Sequence, residues 1–397
     1  MSTNSRYSVL FFALIMLIAS AAHALEPIKF GAIVPLNDAI GKQSANAMKL
    51  AVKEINKAGG IIGRSLELIV SDDEMNAEKG AAAVDKLATA DKVDFFVGGF
   101  TSGVHLAQIP VMKKYGKITL WSGAASARCE RALADQDWYF HLHPWDYQQA
   151  KSQFEGWLAI NAKHPEVKVE KWFFAYEDGA FGTMSYKAVT DLLPPGWTQQ
   201  GANFKSATQG GSDYGIALKR AKEAKPDAFL WIGFEADAMP IMTQAKEMGF
   251  YPPISIGSFW PVDFGKHPLS ENAISYGMWT PVMKNLNKAS RSFSEAYKKE
   301  FGEDASNHIV LLSYSSIYIL AEAIKKAGNL DSKALIAALE QTKYESPLGD
   351  TISFKPSNII KHQGLTKSKI FQWQNGVQQV IWPFEFATAK LNYPNKP

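Results

Sequence analysis

Short β-rich runs alternate with helical runs almost without interruption from Ile28 to Met248. A chain patterned in this way has one economical solution, a parallel-rich sheet with helices on both faces. The first series predicts strands over Ile28–Leu36, Leu66–Val70, Val93–Gly98 and Ile118–Trp121, with helices over Lys42–Ala58, Ala77–Ala90 and Val104–Tyr115. Ala45, Met48, Ala51, Val52 and Ile55 mark the buried stripe of the first helix, and Gly59-Gly60 ends it. A second series predicts strands over Trp138–Leu142, Lys171–Tyr176, Thr198–Phe204, Ala228–Gly233 and Ile254–Gly257, separated by helices near Tyr147–Asn161, Gly182–Leu193, Tyr214–Ala224 and Ala236–Met248. Two successive series within 397 residues predict two α/β lobes. Past Met278 the pattern is helical again (Ala289–Phe301, His308–Ala327, Ser332–Gln341), then β-like over Thr351–Phe354 and Ser368–Gln374, with an irregular tail over Pro383–Pro397.

The start of the chain points to export. Arg6 precedes an apolar run from Val9 to Ala19, and Ala22-His23-Ala24 has the small-x-small form that signal peptidases cut. The run is too short to span a bilayer, so residues 1–24 read as a signal peptide cleaved after Ala24 and the expected location is the periplasm. Cys129, the only cysteine, can form no internal disulfide and lies too far from the cut to carry a lipid; a small buried side chain is expected there. The formal net charge of +3, with no basic run, argues against nucleic acid as a partner.

Enzyme fingerprints are missing: the chain has no G-x-S-x-G elbow, no phosphate-binding P-loop, no G-x-G-x-x-G turn and no H-E-x-x-H helix. His141-x-His143, near Asp146, has the spacing of a metal pair on one strand face but no third ligand at fixed spacing, and no metal or cofactor is expected. Asp72-Asp73-Glu74 read as acids favouring the start of the helix at Ala77 rather than as a cation site.

The run "IKFGAIVPLNDAIGKQSANAMKLAVKEINKAGGIIGRSLELIVSDDEMNAEKGAAAVDKL", followed by "VDFFVGGFTSGVHLAQIPVMKKYGKITLWSGAAS", resembles the exported solute-binding proteins of the leucine/isoleucine/valine type that serve ABC importers. The likeness extends over the mature chain through "EDGAFG", "PDAFLWIGFEADAMPIMTQAKEMGF" and "FQWQNG". It implies two Rossmann-like lobes with parallel-rich sheets joined by a three-strand hinge, crossing near His143, near Met278 to Thr280 and near Lys361 to Thr366. One lobe is then 25–143 with 280–361, and the other 144–279 with 362–397. The implied function is capture of a small solute between the lobes and delivery to a membrane permease, by a monomer with no enzymatic step.

One part of the cleft is legible without the resemblance. Thr101-Ser102-Gly103 lies between a predicted strand and a predicted helix, where hydroxyls and free helix N–H groups converge on an anion, or where Ser102 merely caps its helix. The resemblance assigns Ser102 to a ligand carboxylate, with Thr101 beside it and Ala124, Ala125 and Ser126 of "WSGAAS" assisting; it assigns Phe181 and Phe234-Glu235 to the facing lobe.

The sequence departs from the family at one place. Amino-acid binders of this type carry an acid after the "IG" of a second-lobe strand to neutralise the ligand's ammonium, and here "ISIGSFWPVDF" puts Phe259 there. An ammonium buried without a counter-charge costs several kcal/mol. Either Glu235 or Asp263 replaces the acid or the ligand has no ammonium. Trp121, Phe181, Phe234, Phe259, Trp260 and Trp279 all fall on expected strand ends or loops, so the expectation is a carboxylate with an aromatic or otherwise apolar body. Branched-chain or aromatic amino acids are the second choice, and a ligand-sensing domain of the same fold is a third reading.

Overall fold

The computed structural model describes residues 25–261 and 263–394. The expected signal peptide, residues 1–24, lies outside them. Two sheets organise the chain. The first is wholly parallel, in the order β2-β1-β3-β4-β5, from β1 (Ile28–Val34), β2 (Leu66–Asp72), β3 (Phe95–Gly98), β4 (Thr119–Trp121) and β5 (Tyr139–His141). The second runs β14-β13-β10-β9-β8-β6-β7. Its parallel part is β6 (Lys171–Glu177), β7 (Thr198–Phe204), β8 (Ala228–Ile232), β9 (Ile254–Gly257) and β10 (Ile274–Gly277). The strands β13 (Lys369–Gln374) and β14 (Val377–Trp382) close its edge antiparallel, and β11 (Tyr344–Glu345) with β12 (Thr351–Ile352) forms a small separate ribbon.

Helices cover both faces. Along the first series run α1 (Ala39–Lys57), α2 (Ala77–Thr89), α3 (Ser102–Tyr115) and the short α4 (Ala127–Ala132). The second series carries α5 (Asp146–Lys163), α6 (Ala180–Asp191), α7 (Gly215–Ala224) and α8 (Glu235–Glu247). The later helices α9 (Lys288–Phe301), α10 (His308–Ala327) and α11 (Ser332–Glu340) return to the first lobe, where α10 packs along α1. On length and composition α10 is apolar enough to cross a membrane, but its stripe Ile309–Leu312, Ile317, Leu320 and Ile324 is buried inside the protein.

The chain therefore passes between the sheets three times: after His141, after Gly277 and before Lys369. Gln363 bridges to His141 in the first and third crossings. Buried Lys369 binds the second crossing to a first-lobe loop, its ammonium donating to the Met278 carbonyl at 3.1 Å and to Asp350 at 2.8 Å.

Several local expectations are corrected. Asp72-Asp73-Glu74 are not first-turn acids, because Asn76 caps α2. Asp72 instead accepts the Leu36 and Glu74 N–H groups, and buried Asp73 accepts that of Met75, so the acids pin the loop itself. Trp121 does not face the cleft: it is fully buried and stacks on His105 with ring centres 4.7 Å apart. The expected tail beyond Pro383 is preceded by the unexpected strand β14.

Candidate functional site

The carboxyl ends of parallel strands from both sheets face each other across the cleft, the place where open α/β sheets bind ligands. From the first lobe β3 delivers Phe100, Thr101 and Ser102, β4 delivers Gly123, Ala124 and Ala125, and β5 delivers His143; from the second, β6, β8 and β9 deliver Phe181, Phe234, Ser258 and Phe259. Gln149, Tyr276, His308 and Ile309 complete the lining of one chamber.

The first-lobe half depends on two backbones coming very close. Gly99 has φ +90°, and a Cβ on it would lie 2.1 Å from the Trp121 indole; a Cβ on Gly123 would lie 2.8 Å from the Gly99 carbonyl. Only glycines let the β3 and β4 loops touch and so set Ser102 against the 124–126 segment. Ala124 follows at φ +66°, a left-handed conformation that costs a non-glycine residue about 1 kcal/mol.

The donors in this corner can be assigned one by one. Thr101 is the residue before α3 but makes no side-chain cap, so its hydroxyl and the first helix N–H groups are not used up on each other. The Ser126 N–H donates to Ser102 Oγ at 3.1 Å, which leaves the Ser102 hydroxyl proton for another acceptor. The Ala124 N–H donates to the Phe100 carbonyl at 2.8 Å, whereas the Ala125 N–H has no protein acceptor among the described residues. Ser126 does not line the chamber: it is fully buried, and its hydroxyl accepts the Arg128 N–H to cap α4. Of the 124–126 segment, then, Ala125 alone both lines the chamber and has an N–H without a protein acceptor among the described residues.

The second-lobe half is aromatic, and two buried carboxylates set it. Glu177 accepts the Gly179 and Gly182 N–H groups and so fixes the start of α6, which carries Phe181. Asp237 accepts from the Phe234 N–H at 2.8 Å, from Ser206 and from the Tyr214 hydroxyl, fixing the start of α8. Phe100 of the first lobe meets Phe234 and Phe259 of the second with ring centres 6.4 and 5.8 Å apart, and Phe181 meets the same two at 5.7 and 6.2 Å. Edge-to-face and tilted rings at these spacings attract one another. With the rings in mutual contact the chamber has only about 30 Å³ free; a solute enters by parting the lobes that carry them.

At the hinge side lie groups that sequence reasoning missed or read otherwise. His143 Nδ1 donates to the Pro144 carbonyl at 2.8 Å, and its Nε2 lies 3.1 Å from His308 Nε2, a residue 165 positions away. Burial holds the His143 pKa down at about 4, and His308 well below the ordinary value; both rings are neutral, and His308 is the donor of the pair. His141 is engaged elsewhere, bonded to the Gly123 carbonyl at 2.8 Å and stacked on Trp145. Asp146 accepts the Ala127 N–H, and among the described residues no three metal-ligating side chains converge. Cys129 is buried with its thiol pKa pushed up by burial, and it packs beneath the site with Sγ 3.4 Å from the Ser102 carbonyl. The Ser258 and Tyr276 hydroxyls pair at 3.1 Å, Tyr276 lying on a strand (β10) that the sequence pattern did not reveal.

Glu235 stands apart from the chamber. It is half-buried at the start of α8, its Oε2 is buried without a hydrogen-bond partner, and burial, then Asp38 and Asp263, pushes its pKa up to about 7. Asp263 is exposed on a neighbouring chamber.

Comparison with known proteins agrees with this geometry. A model of the periplasmic binding protein family matches residues 27–378. Leu/Ile/Val-binding protein homolog 7 of Brucella melitensis is 25% identical over 402 residues, covering 95% of this chain and 97% of its own. Among solved structures, the branched-chain amino acid transporter substrate-binding protein LivJ of Streptococcus pneumoniae, in complex with isoleucine, superposes with a TM-score of 0.76 at 22% identity, over 89% of this chain and 99% of its own. A solute-binding protein of an ABC transporter from Rhodopseudomonas palustris BisB5, in complex with 3,4-dihydroxy benzoic acid, does so with a TM-score of 0.72 at 22% identity, over 87% and 93%. With the family model spanning most of its length and both lobes in place, the chain belongs to the periplasmic binding protein family, as a type I member of the Leu/Ile/Val-binding kind.

Proposed function

We propose that the protein is the exported solute-binding component of an ABC importer and that it captures a small carboxylate with an aromatic or otherwise apolar body. The carrying observation is the lining of the chamber: among the described residues it contains no Asp, Glu, Lys or Arg. A carboxylate is served there by the Thr101 and Ser102 hydroxyls, the start of α3 and the Ala125 N–H. An ammonium finds no partner of opposite charge, since Phe259 stands where the amino-acid binders have an acid, and Glu235 and Asp263 lie outside the lining. The four phenylalanines then enclose the ligand's body as Phe181, Phe234 and Phe259 close over Phe100.

In this reading the leader is cut after Ala24, the monomer works in the periplasm, and the lobes divide as 25–143 with 280–361 and 144–279 with 362–397. Closure presents both lobes to a membrane permease, and no bond is made or broken. Relatives named for leucine, isoleucine and valine favour branched-chain amino acids as the second reading. Calorimetric titration separates the two: benzoate and cinnamate bind and leucine, isoleucine and valine do not. Leucine binding with silence toward both acids reverses the assignment.

A further inference from the structure

We infer that the cleft takes an elongated ligand, in which a second, uncharged ring or chain extends from the acid-bearing body into a chamber of its own; this rests on the carboxylate reading above. A larger cavity of about 400 Å³ adjoins the phenylalanine chamber, and the two share Ser258, Phe259, Tyr276 and His308 as their common wall. That wall is made of side chains from both lobes, so parting the lobes joins the two spaces. None of Thr101, Ser102 and Ala125 borders the larger cavity. The passage between the chambers therefore leaves from a side of the ligand other than its carboxylate.

The second chamber suits a flat apolar group. Trp260, Trp279 and Trp373 line it. Each indole has a fixed orientation: Trp260 Nε1 donates to the Ile274 carbonyl at 3.1 Å and stacks on Phe264 at 4.2 Å, Trp279 Nε1 donates to Ser290 at 3.2 Å, and Trp373 stands edge-on to Phe264 at 5.7 Å. Rigid rings of this kind stack a second ring at little entropic cost. Three acids, Asp263, Glu303 and Asp304, outnumber the one base, Lys266, among the exposed charges of the chamber, and this acidic balance disfavours a second carboxylate, which is why the extension is neutral.

Benzoate and 4-phenylbenzoate differ by one such ring and test the inference by calorimetry. Burying the added phenyl makes 4-phenylbenzoate bind at least about tenfold tighter. Val377, 45% exposed at the start of β14, also lines the second chamber; Val377→Trp obstructs it, cuts the gain and leaves benzoate binding unchanged. Val282→Trp obstructs it from the other lobe and repeats the result if the first variant misfolds. Benzoate binding with no gain from the second ring overturns the inference alone, as does a gain that survives both substitutions. Silence of the wild type toward both acids overturns the carboxylate reading and the inference with it.

Discussion

Ser102 uses one oxygen in two directions. Its Oγ accepts the Ser126 N–H, which ties the β4 loop to α3, and in the proposed function its proton is given to the solute. Ser102→Ala removes the donor and leaves a buried ligand oxygen short of one charge-assisted bond, a loss of about 1–3 kcal/mol. The expected outcome is a calorimetric affinity lower by about five- to 150-fold, with no loss of the two-lobed fold by circular dichroism; unchanged affinity would place the carboxylate elsewhere. Thr101 and Ser102 could be placed from the sequence because the pattern sets them between the carboxyl end of a strand and the start of a helix, whereas only the structure shows that Thr101 makes no side-chain cap. Ser126 looked equivalent and is not, since its hydroxyl caps α4, a six-residue helix too short to show a periodicity. His308 left no local signal at all. Its partner His143 is 165 positions away, and only the crossing of the chain between sheets brings the two rings together.

Helix ends carry the electrostatics of the cleft. Asp38 caps α1 on one lobe and Glu235 begins α8 on the other, and each carboxyl is raised chiefly by burial, which at Glu235 outweighs the favourable dipole of its own helix. Glu235 holds its proton to about pH 7 when folded, against 4.5 when unfolded. The folded chain thus binds more protons than the unfolded one between those values, so the Glu235 contribution to stability is full below pH 4.5 and is lost as pH rises through 7. Glu235→Gln fixes the neutral form, and scanning calorimetry should find it raising the melting temperature more at pH 8 than at pH 5; an equal effect at both would mean that Glu235 is not a strained acid. Most strands were legible because parallel β-runs bounded by helices are unambiguous. β10 and β14 were not, the first being four residues among loops and the second a half-exposed antiparallel edge that follows β13 through a tight turn rather than a helix.

The two-lobed architecture followed from the repeated strand–helix series, and the identity of its cleft from where the strands end. What the linear pattern cannot show is which side chains share a space. The charge-free lining, the ring contacts across the lobes and the second chamber are properties of closure, drawn from residues as distant as Phe100 and His308. On the proposed function they would make the molecule a discriminator between acids with and without an ammonium. Phenylalanine and 3-phenylpropionate differ in that group alone, and desolvating an unpaired ammonium costs several kcal/mol. Titrated side by side into the protein at pH 7 in a calorimeter, 3-phenylpropionate should bind at least about a hundredfold tighter than phenylalanine. Equal or tighter binding of phenylalanine would contradict a cleft built for an acid that carries no positive charge.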